Sequence, residues 1–219
     1  IYGRGILMQY EDSTLAKGID IEACNNVTID GIIINRNIPD WSGFIYKSNN
    51  IKINNLKVIS PAIWSSEGIN LANCSNANYT DCFFRTGNNC IAIKGLGNDR
   101  DYESTIIDPS TALPNENIHI KDCIFWSDNN NAVVLGQQTI AEYFRNISFK
   151  NCNILFVRDE EPNKAALSII ALHSTVIEDI LFENIQVGCS GQLITVLNTE
   201  EIFGIKGSQL WPGHINKVT

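Results

Sequence analysis

A glutamate and two pairs of asparagines stand at matching places in three successive stretches of this chain, each just ahead of a short apolar run. Glu67 precedes Gly68–Leu71, Asn88 and Asn89 precede Cys90–Ile93, and Asn130 and Asn131 precede Ala132–Leu135. Asp128 stands two residues ahead of the last pair. A carboxyl group can deliver or take up a proton, whereas an asparagine amide at any useful pH only donates and accepts hydrogen bonds. The amides therefore suit a hydroxyl-rich ligand, and Glu67 and Asp128 are the groups in register that can move protons. Lys94, directly after the Cys-Ile-Ala-Ile run, is a cation able to hold a hydroxyl or a carboxylate, with a plain solvent-facing lysine as the favoured alternative. No metal site is indicated, because no Cys-x-x-Cys and no His/Cys pair has the spacing of zinc ligands.

What must position these residues is a repeat. Six copies of one pattern begin at Asn26, Asn50, Asn76, Asn117, Asn146 and Asp179, reading NVTIDGIII, NIKINNLKV, NANYTDCFF, NIHIKDCIF, NISFKNCNI and DILFENIQV. Each alternates apolar and polar residues, breaks at an Asn, Asp or Gly, and resumes, which predicts a strand, a corner and a second strand. The copies lie 24 to 41 residues apart, a spacing typical of solenoids whose units must stack to bury their apolar faces. A further strand precedes each copy, at 18–21, 44–46, 68–71, 90–93, 132–135 and 167–170, continued by 193–196. The prediction is all-β: a right-handed parallel β-helix of about seven coils, one domain over 1–219, apparently truncated at both ends. The chain opens inside a strand and closes on HINKVT, the first half of another copy, so it reads as an internal piece of a longer protein.

In that register the turns entering the additional sheet form a ridge bearing Glu67, Asn88, Asn89, Asn130 and Asn131. Successive coils stand ~4.8 Å apart, so five of them offer a surface of ~20 Å, suited to an elongated polymer such as a polysaccharide or oligosaccharide. The long insertion at 96–115 follows this sheet and is expected to wall the groove. Its Asp99, Asp101 and Glu103 are further acids that can fold over it. Trp64, Trp41 and Tyr46 are candidate platforms for sugar rings, with packing over coil ends as the plain alternative. Cys82, Cys123 and Cys152 share one repeat position and Cys24 and Cys74 another, so the seven cysteines read as core packing rather than as a disulfide framework.

A net charge of −8 argues against nucleic acid, and no apolar run is long enough to insert in a membrane. Nothing in the residues sets an oligomeric state.

WSSEGINL at 64–71 followed by RTGNNCIAIKG at 85–95 resembles the active-site core of the polygalacturonase-like glycoside hydrolases, the pectin lyase-like β-helix clan that includes dextranase-type relatives. The resemblance extends over nearly the whole chain at the level of coils and is sharpest from Trp64 to Gln137. It implies hydrolysis of a glycosidic bond with inversion, no cofactor, and a secreted, periplasmic or cell-surface location. It also places the clan's first catalytic Asp on Glu67, its Asp pair on Asn88 and Asn89, and its His on Asn131. Trp64, Lys94, Asn131 and Gln137 would contact substrate. The clan's basic segment falls near 166–170, where no basic residue stands, which favours a neutral glycan over a uronic acid polymer.

Inverting hydrolysis needs an acid and a base ~6.5 to 9.5 Å apart. Glu67 alone cannot fill both roles, so a Glu67/Asp128 pair is the candidate that this register offers. The expectation is a polysaccharide-acting protein with a depleted carboxylate set. The alternative is a non-catalytic glycan-binding or structural β-helix, and a lyase is a weaker third. A natural non-catalytic relative, an enzyme inactivated at Asn88 and Asn89, and chemistry from other residues all fit, and Glu67, Asn131 and the missing basic segment favour natural divergence.

Overall fold

The computed structural model describes residues 1–8, 17–36, 40–61, 65–97, 100, 112–158, 164–202, 205–206 and 213–219. Among these residues there is no helix, and none that could cross a membrane as one. Strands Ile19–Glu22, Gly43–Tyr46, Ile69–Ala72, Ile91–Leu96, Val133–Ile140, Leu167–Ala171 and Ile194–Asn198 form a seven-stranded parallel sheet, the entry sheet. The two strands of each repeat form a twelve-stranded sheet bent around a corner, continuous in the later coils because Tyr143–Val157 and Val176–Val187 turn that corner as single strands. The chain thus winds through three faces per coil as a right-handed parallel β-helix, as the repeat predicts.

Stacking like on like builds the core. Val27, Ile51, Ala77, Ile118, Ile147 and Ile180 pair in one row, and Ile29, Ile53, Tyr79, Ile120, Phe149 and Phe182 in the next. Almost all of them are sealed from solvent. The seven cysteines are free thiols, and Cys74, Cys82, Cys123 and Cys152 are buried as packing predicts. Cys24 is not: it is exposed, with Sγ against the Glu22 carbonyl, because it joins Ile19–Glu22 and Asn25–Asp30, which stand at the ends of their sheets' strand orders.

The corners explain the asparagines. Asn26, Asn50, Asn76, Asn117, Asn146 and Asp179 all have φ between 53° and 61°, and Gly31, Asn55, Asp81, Asp122, Asn151 and Asn184 lie between 50° and 75°. Asn, Asp and Gly tolerate this left-handed region better than other residues. Their side chains also bond along the axis. Asn117 donates to Asn76 at 3.0 Å and Asn146 to Asn117 at 2.8 Å, while at the second corner Asn184 donates to Asn151 at 2.9 Å and Asn151 to Asp122 at 3.2 Å. A residue chosen for its backbone angle therefore also supplies an inter-coil hydrogen bond.

Candidate functional site

Backbone bonds from Gly68 N to Asn89 O (3.0 Å), Ile91 N to Ala132 O (3.2 Å) and Val133 N to Ala166 O (3.2 Å) set Glu67, Asn89, Asn131 and Ala165 in one axial row at the mouth of the entry sheet. Their side chains form a second amide ladder. Ser168 Oγ and Ala165 N–H donate to Asn131 Oδ1 at 2.6 and 2.9 Å; Asn131 Nδ2 donates to Asn89 Oδ1 at 3.0 Å, and Asn89 Nδ2 donates to Glu67 Oε1 at 2.8 Å. Glu67 Oε2 accepts from Asn70 Nδ2 and lies 4.0 Å from Lys94 Nζ, which donates to Gln138 Oε1 at 3.2 Å. Glu67 is 5% exposed, Asn89 2%, Asn131 0% and Lys94 3%. A buried polar network with every member engaged is rigid and stable, and breaking one link is costly.

Outside this row runs a more open one. Asn88 is half-buried; its Oδ1 accepts from Asn130 Nδ2 at 2.5 Å and from Asn89 N at 2.9 Å. Its carbonyl is held by Thr86 Oγ1 at 2.6 Å and Ser127 Oγ at 2.9 Å. The ridge therefore presents Asn88, Asn129 and Asn130 to solvent above an inner ladder that fixes their height.

Several expectations change on this geometry. The register brings Glu67, Asn88, Asn89, Asn131 and Lys94 together but not Asp128. That carboxylate turns onto the third face, where Oδ1 accepts from Trp126 Nε1 at 2.8 Å and Oδ2 lies 3.5 Å from Arg85 Nε. The indole two residues back and the Arg85 guanidinium hold its two oxygens, while Glu67 meets Asn70, Asn89 and Lys94, so the two carboxylates share no partner. The outward row of the entry sheet is covered: Phe44, Tyr46, Asn70, Ala72, Ala92, Val134, Ser168 and Ile170 are all buried. Leu197 and Ile202 pack on part of it, and Trp41 and Leu96 on the rest. Trp41 meets Phe44 edge-on at 5.0 Å and Tyr46 donates its hydroxyl to Gly97 O at 2.8 Å, so both are packing residues rather than free platforms. Trp64, Asp99, Asp101 and Glu103 lie outside the described residues, as does most of 96–115.

One contributor escaped the sequence reading. Pairing between Ile91–Leu96 and Val133–Ile140 slips after Ile93, and the slack is taken up at Gly136, whose φ is 97°. That bulge, and not the strand pattern, brings Gln138 rather than Gln137 to Lys94. Gly136 is the only residue in the stretch that hints at it.

Just past the bulge, His173 is buried and its Nδ1 accepts from Thr139 N at 3.3 Å. Burial pulls its pKa down from 6.5 to about 4. The neutral ring is what the fold accommodates, so its stability contribution is intact above pH 6.5 and lost as pH falls toward 4, where the unfolded chain takes up a proton the folded one refuses. The expected loss across that window is about 3 kcal/mol. Urea midpoints collected through the window should slope down in the parent and run flatter in His173→Gln; parallel slopes would remove His173 as the source.

No family model matches the chain. It is 26% identical over 181 residues to an exopolygalacturonase of Arabidopsis thaliana, clone GBGE184, covering 74% of this chain and 42% of that protein. The chain thus spans less than half the length of the curated relative it matches. Among solved structures, a hyperthermoactive exopolygalacturonase of Thermotoga maritima matches 78% of this chain and 55% of its own at 17% identity, with a TM-score of 0.47. A family 28 exopolygalacturonase of Yersinia enterocolitica matches 89% of this chain and 38% of its own at 16% identity, with a TM-score of 0.46. The chain is similar to polygalacturonases, as the Trp64–Gly95 segment implies.

Proposed function

We propose that this chain uses the frame of a glycoside hydrolase to engage a polysaccharide along the Asn88–Asn130 ridge and, as its sequence stands, does not hydrolyse it. The similarity to an exopolygalacturonase supports the polysaccharide and the hydrolase frame. The state of Glu67 carries the rest. Both its oxygens accept from amides, it is 5% exposed, and no second carboxylate of the described residues shares its row. A glycosidic bond cannot be cleaved by inversion with one committed carboxyl group and amides in the partner positions. Amides that both donate and accept do match sugar hydroxyls, and the outer row offers them half-exposed and already oriented. Such a protein is expected outside the cell, whether secreted, periplasmic or cell-surface.

The test is a paired assay on the same polysaccharides, polygalacturonate and neutral glycans together. Retention on at least one immobilised polymer, with no new reducing ends, is the expected result. Hydrolysis by the parent would overturn the non-hydrolytic reading and move the chemistry to acids beyond the Glu67 row. Failure to bind any polymer would leave a purely structural β-helix.

A further inference from the structure

Asp128, absent from the ladder, organises a second site. On the third face of the coil, Arg85, Trp126 and Phe156 are register neighbours in successive coils. Arg85 Cζ lies 4.9 Å from the Trp126 ring centroid, and Phe156 in the next coil packs against the indole at a tilt, with centroids 5.3 Å apart and planes at 36°. The indole is thus held between a guanidinium and a second ring. Beside this wall is an open recess of about 650 Å³ lined by Pro61, Arg85, Trp126, Asp128, Phe156 and Arg158.

The guanidinium of Arg85 is under-used. Its Nε is buried and faces Asp128 Oδ2 at 3.5 Å, while the side chain as a whole is 43% exposed and makes no hydrogen bond to another described side chain. Asp128 spends its other oxygen on Trp126 Nε1. Two arginines and two aromatic residues thus line one recess on a chain whose net charge is −8. A planar guanidinium matches a carboxylate better than any neutral group does. Asp128 at the rim can accept from hydroxyls.

We propose that this recess binds the carboxylate of an acidic sugar chain, a second glycan site set apart from the entry-sheet ridge. The choice of a sugar rests on the polysaccharide reading above; the choice of an acidic one rests on the recess itself. Calorimetric titration of the chain with a short oligogalacturonate, and with a neutral oligogalactan of equal length, tests it. Arg85→Gln should weaken oligogalacturonate binding about tenfold or more, the size of a lost charge-assisted bond. Asp128→Asn removes the internal competitor for Arg85 and should tighten binding, the opposite of what a merely structural ion pair gives. Unchanged affinity in Arg85→Gln, an Asp128→Asn variant that fails to tighten, or equal dependence of oligogalactan binding on Arg85 would each overturn the recess while leaving the ridge reading in place. If neither oligosaccharide binds the parent, the recess falls, and the polymer panel above decides the ridge separately.

Discussion

Replacing Asn88 and Asn89 together by Asp should switch on release of reducing ends from a polysaccharide on which the parent chain is silent. The physical case rests on what each new carboxyl group would meet. Asn89 Nδ2 now donates to Glu67 Oε1 at 2.8 Å; an Asp there would place two carboxyl groups in contact. Like charges that close cannot both ionise, so the pair would hold a shared proton well above the usual carboxylate range, which is what a general acid requires. Position 88 is half-buried on the open row and its side chain already accepts two hydrogen bonds. A carboxylate there would keep those bonds, stay ionised, and be placed to activate water. General acid and base assistance are each worth roughly 10² to 10⁴ in rate, so the double variant should rise at least that far above background. Each single variant supplies one half of the pair and should do much less. Activity already present in the parent would place the acids elsewhere. A double variant that binds glycan and stays silent would mean that the ridge has lost more than its protons.

The largest effect on stability should come from two glycines. A Cβ at Gly136 would lie 1.9 Å from the Ile170 carbonyl oxygen, in a residue whose φ of 97° already disfavours any side chain. A Cβ at Gly68, next to Glu67, would lie 2.0 Å from the Cys90 carbonyl oxygen and 2.9 Å from Phe84 Cδ1. Both nearest obstacles are backbone carbonyls, Ile170 within strand Leu167–Ala171 and Cys90 directly ahead of strand Ile91–Leu96, so they cannot swing aside as a flexible side chain would. Gly136→Ala and Gly68→Ala are each expected to lose about 4 kcal/mol or more, the range of severe overpacking combined with strain. Gly5→Ala, with nothing within 4 Å of its new methyl, is the control and should change stability by less than about 0.5 kcal/mol. Urea unfolding of the three variants decides the matter, and a Gly136→Ala midpoint equal to that of Gly5→Ala would show that the bulge yields.

The coil and its corners were legible because they repeat. A period of two with a break at a fixed place can be checked six times over, and the same Asn, Asp or Gly that marks each break also explains it through φ. The row of Glu67, Asn89 and Asn131 follows from that register without side-chain information. Asp128 does not, since it lies past the end of Ile124–Ser127, where alternation no longer dictates direction, and Trp126 Nε1 captured it. The cover over the outward row of the entry sheet also had its signal in the sequence. Phe44-Ile45-Tyr46 and Ala132-Val133-Val134-Leu135 are apolar at both parities, the mark of strands covered on both faces. The bulge at Gly136 left a single glycine as its trace.

The amide ladders also have a direction. Backbone bonds between coils run both ways, Ile19 N to Ser42 O in one sense and Asn49 N to Cys24 O in the other, so their dipoles largely cancel. The side-chain amides do not alternate. Asn54, Asn76, Asn117, Asn146, Asn151 and Asn184, like Asn89, Asn130 and Asn131, each donate to the coil before. Stacked head to tail, they give the solenoid an electrical polarity, positive toward its low-numbered coils. The carboxylates on these ladders sit where that polarity wants them: Asp30 receives Asn54, Asp122 receives Asn151, and Glu67 receives Asn89. Glu67 is thus the counter-charge that ends a wire of aligned dipoles, as an anion ends a helix at its amino terminus.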